Sequence, residues 1–198
     1  MIRLLILSAA LALAHPAFAQ DAPVKTAPAA PPPLAGGPAA ARPTKPPTLV
    51  EALIAAGFDP HTKLVSDTAQ VMSGQRATLN VADGKLSLEA VETGHVDMAL
   101  PDGTPDTYKP VEPGKVAFAV DGSAAKKQSF LKIWNGLPHA VSYEAELTAI
   151  RSGKLAKRKA HVCAVPGGST NYEMWADPII AVTLSKVAEV ADDKITCK

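Results

Sequence analysis

An all-β sandwich is the fold class this sequence predicts, and three observations carry that expectation. Apolar residues recur with a period of two over most of the chain after position 76. Two candidate turns, Asp83-Gly84 and Ser152-Gly153, each join segments whose apolar positions fall opposite one another when counted outward. The region they occupy, residues 48–198, has the length of one sandwich domain rather than two.

The elements ahead of that region describe an address. Met1-Ile2-Arg3 puts one positive charge before an apolar run, Leu4 to Ala14, and Ala17-Phe18-Ala19 supplies the small residues a signal peptidase reads. Residues 1–19 therefore read as a signal peptide cleaved after Ala19. The apolar run is too short for a membrane span, which needs about 20 residues, so no stable span is expected after cleavage. Residues 20–47 hold nine prolines and no aromatic residue. Proline fixes φ and removes donors, so this Pro/Ala-rich linker is expected to be disordered and to act as a spacer. Thr48 to Gly57 then predicts a short helix. Thr48 caps it, Glu51 completes a capping box, Gly57 stops it, and Leu49, Leu53 and Ile54 share one face.

The first hairpin pairs Val81 with Leu86, Leu79 with Leu88 and Ala77 with Ala90, alternating with Asn80–Ser87 and Thr78–Glu89. The second pairs Ala149 with Ala156, Ala145 with Ala160, Tyr143 with Val162 and Val141 with Ala164. Its polar face pairs Thr148–Lys157, Glu146–Lys159, Glu144–His161 and Ser142–Cys163, while Arg158 breaks the pattern opposite Leu147. A one-residue slip would expose the whole apolar set, which fixes the register. Further strands are expected at Lys115–Val120, Gln128–Trp134 and Ile179–Val187, with Asn135-Gly136 and Pro138 as a turn. Asp177-Pro178 also fits a helix start, but the β-branched run from Ile179 to Thr183 favours a strand. Strands at this spacing resemble those of immunoglobulin-like sandwiches, although no family-specific motif accompanies them. The expected architecture is thus an immunoglobulin-like antiparallel β-sandwich with a short N-terminal helix.

Export places the two cysteines, Cys163 and Cys197, in an oxidising compartment, where an even pair reads as one disulfide. Removing Arg3 with the signal peptide takes the 20 basic residues to 19, equal to the 19 acidic ones. A neutral chain has no global field to draw nucleic acid or anionic membrane.

No catalytic, metal or cofactor motif is legible. His61, His95, His139 and His161 are never three or four apart, and H-E-x-x-H, G-x-S-x-G and glycine-rich phosphate loops are absent. His161, Cys163 and Met174 fall short of a blue-copper set because no histidine follows the cysteine. His95 and Asp97 would share one side of an extended strand. Asp102, Asp106 and Glu112, in a proline-rich loop, are the acids that could gather calcium.

The strongest charge feature is Arg151, Lys154, Lys157, Arg158 and Lys159, an acid-free run astride the second hairpin tip. It reads as a surface for an anionic partner or as a lysine-protected edge strand. Trp134, Tyr172 and Trp175 stand out among scarce aromatics. Tyr172 and Trp175, after Gly167-Gly168, read as loop aromatics that clamp a partner, or else Trp134 ends a core strand and Trp175 plugs the sandwich edge. The candidate binding residues are therefore Arg151, Lys154, Lys157, Lys159, Tyr172 and Trp175. The reading is an exported non-catalytic binding or accessory module, periplasmic or extracellular, for an envelope protein or an anionic surface polymer. The alternatives are an envelope hydrolase or metal-dependent enzyme with a dispersed site, and a purely structural subunit.

Overall fold

The computed structural model describes residues 46–82 and 84–197. The expected signal peptide, nearly all of the expected linker and Asp83 of the first turn lie outside them. Helix α1 spans Leu49–Ala55. Ten strands follow among the described residues: β1 (Lys63–Val65), β2 (Thr68–Met72), β3 (Gln75–Ala82), β4 (Lys85–Thr93), β5 (Lys115–Ser123), β6 (Gln128–Asn135), β7 (Ala140–Arg151), β8 (Lys154–Ala160), β9 (Thr170–Trp175) and β10 (Ile179–Val190). They form two five-stranded antiparallel sheets, ordered β1-β2-β10-β7-β8 and β4-β3-β5-β6-β9.

The sheets pack face to face because alternate residues of both are apolar. Val116, Phe118, Val120, Leu131 and Ile133 of the second sheet meet Val141, Tyr143, Leu147, Val182 and Leu184 of the first in one buried cluster. Phe118 and Tyr143 touch edge to face across it, with ring centroids 5.4 Å apart. The Cys163–Cys197 disulfide is formed and ties the C-terminal segment to the chain after β8.

Helix α1 is short and held by its ends. Thr48 N–H donates to Glu51 Oε2 at 2.7 Å, and Glu51 N–H donates to Thr48 Oγ1 at 3.3 Å. Gly57 adopts φ +75°, which lets its N–H reach the Ile54 carbonyl and the Phe58 N–H reach Leu53. Leu53 and Phe58 then pack with Met72 and Ala181 of the first sheet. Leu49 and Ile54, expected on the same buried face, are each 57% exposed. Seven residues offer one inward position, and Leu53 fills it.

The hairpins correct the expected registers at defined points. Val81–Leu86, Asn80–Ser87 and Leu79–Leu88 pair as counted, but Thr78 then faces Ala90 and Ala77 faces Val91. Glu89 is the extra residue of a bulge, and every later pair is displaced by one. The second hairpin keeps its register from Arg151–Lys154 to Ala145–Ala160. Beyond it β8 ends, Val141 pairs with Val165 instead of Ala164, and Cys163 bridges Cys197 instead of Ser142. The segment from Ile179 is a strand, with irregularities at Ile180 and near Lys186. Residues 170–175, read as a loop, form edge strand β9.

Candidate functional site

One end of the sandwich gathers the turns that carry charge. At the β7–β8 tip, Ser152 and Gly153 take φ of +49° and +73°, the paired positive values that a tight two-residue hairpin requires. Arg151 Nη2 donates to Asp177 Oδ1 at 2.7 Å, and Arg158 Nη2 donates to Asp177 Oδ2 at 3.0 Å. These bonds, the Arg151 bond foremost, hold the Asp177 carboxyl below its ordinary value. Arg158 can occupy an apolar register position because β8 is an edge strand, where its side chain stays partly exposed and bonds Asp177. Ser129, buried on β6, donates to the Asp177 carbonyl at 2.8 Å and accepts from Ile179 N–H at 2.9 Å. It thereby pins the β9–β10 link across the second sheet.

Between that link and the β5–β6 turn lies a crevice of about 420 Å³. Ala124, Ala176, Pro178 and Ile179 give it apolar walls, and Lys127 stands at its rim with φ +51°. Lys127, Lys154 and Lys159 make no ion pair among the described residues, whereas Lys157 pairs with Glu146 at 3.1 Å. Lys159 lies apart from the tip, on the outer face of the first sheet. It lines a groove of about 430 Å³ with Thr68, Glu144, Glu146, Thr183 and Ser185. Lys186 pairs with Glu144 at 2.7 Å beside it.

The outer face of the second sheet holds a different arrangement. Register places Glu92, Arg76, Ala119, Lys132 and Tyr172 in one row across all five strands. Arg76, 3% exposed, pairs with Glu92 and donates to the Lys109 carbonyl at 2.6 Å. Its guanidinium lies 4.9 Å from the Tyr108 ring centroid and 5.3 Å from that of Trp134. Lys132 Nζ lies 5.1 Å from Trp134 and 4.7 Å from Tyr172, and it pairs with Asp106 at 2.6 Å and Asp97 at 3.2 Å. Burial pulls the Lys132 pKa down, but bonds to Asp106, Tyr172 and Asp97 outweigh it and hold the ammonium above its ordinary value. Tyr172 Oη donates to Asp97 Oδ1 at 2.8 Å.

The structure thus separates the six candidate binding residues. Arg151 and Lys154 are at the tip, while Lys157 and Lys159 follow along β8. Tyr172 belongs to the row on the other sheet. Trp175, three positions on along β9, points to the opposite face and packs against the main core. The two aromatics therefore cannot act as one clamp. Arg76, Tyr108 and Lys132 are not singled out by the sequence, and Trp134, expected to end a core strand, faces outward beside them. The available signal was Lys132, a lone charge inside Phe130-Leu131-Lys132-Ile133-Trp134.

The other candidate pairings are also redistributed. Asp97 sits in a 3-10 turn, and the carboxylate facing His95 Nδ1 is Asp121, at 3.2 Å. Asp102 pairs with Lys126, Asp106 with Lys132 and Glu112 with Lys115. Each acid has its own lysine, so the three do not gather around a common ion. Among the described residues no cluster of three His, Cys, Asp or Glu could hold a metal, and no helix is long and apolar enough to cross a membrane. No family model, no curated protein and no solved structure matches the chain.

Proposed function

We propose that this protein is an exported, non-catalytic binding or accessory module of the cell envelope. Its partner carries negative charge, as an envelope protein face or a surface polymer. We place the contact at the sandwich end where the β5–β6 and β7–β8 turns meet, with Lys127 and Lys154 as principal cations and Arg151 beside them. The observation that carries this reading is the crevice of about 420 Å³, apolar in its walls and rimmed by Lys127, which makes no ion pair among the described residues. Charge without a salt-bridge partner remains available to steer and hold an anion. Export rests on the charge, apolar run and small residues of positions 1–19. We read the sandwich as immunoglobulin-like on its strand spacing, and such folds present loops for binding at the ends of the sandwich.

Capture of the protein on immobilised anionic envelope polymer tests the proposal. Capture should weaken as salt rises and be lost in the double variant Lys127→Glu, Lys154→Glu. Retention by the double variant in high salt would move the contact away from this end.

A further inference from the structure

The row on the second sheet is covered by residues 94–114, a strap that runs from the end of β4 to the start of β5. We propose that this strap is an intramolecular stand-in for an acidic peptide, and that the Arg76–Lys132–Tyr172 row beneath it is a second binding surface, selective for acidic polypeptide segments. This inference is independent of the contact proposed for the sandwich end.

The trench exists because β5 presents Ala117 and Ala119 outward between bulkier neighbours. Across it, the strap behaves as a bound peptide does. Asp97 and Asp106 place carboxylates on Lys132, Tyr172 donates to Asp97, and Arg76 takes the Lys109 carbonyl. The Arg76 guanidinium packs against both Tyr108 of the strap and Trp134 of β6, whose ring centroids lie 6.0 Å apart at a steep angle. Among the described residues, no backbone hydrogen bond joins residues 95–111 to a strand; the backbone bonds of that stretch stay within it. The strands hold residues 95–111 through side chains such as Arg76, Asp121 and Lys132 rather than through their backbones, and such side-chain bonds are open to an exchangeable ligand.

The fit is also incomplete. Cavities of about 390 Å³ and 250 Å³ flank residues 106–112 on either side. The Tyr108 hydroxyl is buried with no hydrogen-bond partner among the described residues, which is a cost to the closed strap. Burying Arg76 and Lys132 adds little to stability over well-packed apolar residues. Guanidinium and ammonium groups set against ring faces are, by contrast, efficient at recognising carboxylates.

The ends of the strap show how it lifts. Val96 is fully buried against Ala119 and Phe130 and stays as the root. A Cβ on Gly94 would meet Thr107 Oγ1 at 2.5 Å and Tyr108 Cε1 at 2.8 Å. Closure of the strap over the row therefore depends on a glycine at position 94. Residues 101–105 are exposed throughout.

The test uses the whole mature chain and a fluorescent decaglutamate peptide as probe. Two variants loosen the strap by different means: Asp97→Asn with Asp106→Asn removes the competing carboxylates, and Gly94→Ala removes the space. In both, amide exchange at residues 97–110 should speed up and affinity for decaglutamate should rise by about tenfold or more, equivalent to about 1.4 kcal/mol. Adding Lys132→Glu should return affinity to that of the unaltered chain, which separates this surface from the lysines at the sandwich end. The proposal is overturned by a strap that stays closed in both variants, by opening without a gain in affinity, by a gain that survives Lys132→Glu, or by loss of the folded domain in both.

Discussion

At the sandwich end, Lys127 and Lys154 stand without an ion pair among the described residues, while on the outer face of the second sheet Arg76 and Lys132 lie between rings and carboxylates. The Arg151 side chain is 57% exposed, and that of Lys132 is 7% exposed. The same residue types therefore do different physical work. An exposed cation is screened over about 8 Å at physiological salt and contributes little to folding, but it remains free to meet a partner. Removing a buried cation leaves its carboxylates uncompensated, so the fold itself responds. Substitution at the two places should separate binding from stability.

The largest effect is expected at Lys132. Lys132→Ala leaves Asp97, Asp106 and the Tyr172 hydroxyl facing one another without the ammonium, and should cost about 3 kcal/mol in denaturant unfolding. A loss below about 0.5 kcal/mol would mean that the row is solvated like the tip.

Acid should sharpen the contrast with a smaller effect. Burial pushes the Asp97 carboxyl up, but bonds from Tyr172 and Lys132 outweigh this and hold it below its ordinary 3.8. A depressed carboxylate stabilises the fold above 3.8, and that contribution is lost as pH falls through the folded value. Glu173 faces the interior, where burial raises it above 4.5 despite the Cys163 amide bond and His161. Folding disfavours its ionised form, so stability rises as pH falls through the raised value toward 4.5. Thermal midpoints measured against pH should therefore rise just above 4.5 and fall below 3.8. Glu173→Gln should remove the rise, and Asp97→Asn should blunt the fall. The smallest effect belongs to the tip: Lys127→Glu with Lys154→Glu should shift stability by less than about 0.5 kcal/mol.

How far the sequence reveals this molecule follows from where its chain is regular. The β7–β8 register is legible over seven pairs because the alternation from Arg151 to Ala145 is broken only by Arg158 and the Ile150–Leu155 pair. It fails past Ala160, where the disulfide and the Val141–Val165 bridge redirect the chain. Glu89 looks like any outward polar residue, so the bulge that shifts Thr78 and Ala77 leaves no local mark. Strand β10 is ambiguous in the sequence because Asp177-Pro178 fits a helix start, and irregularities at Ile180 and near Lys186 break its period of two. Strand β1 is too short to show a period, β2 shows it over only four residues before Met72 breaks it, and β9 carries polar residues on both faces. The basic hairpin was visible because its charges are contiguous. The Arg76–Lys132 row was not, because its members come from five strands and only the sheet register brings them together.

The most direct measurement of the central claim is site-resolved cross-linking inside the native envelope. A photoreactive residue is placed at Lys127, at Lys154 and, at the far end of the sandwich, at Lys85 beside the β3–β4 turn. Positions 127 and 154 should capture the same anionic component, and position 85 should capture none. Capture from position 85 alone, with both tip positions silent in protein that has reached the envelope, would contradict the account.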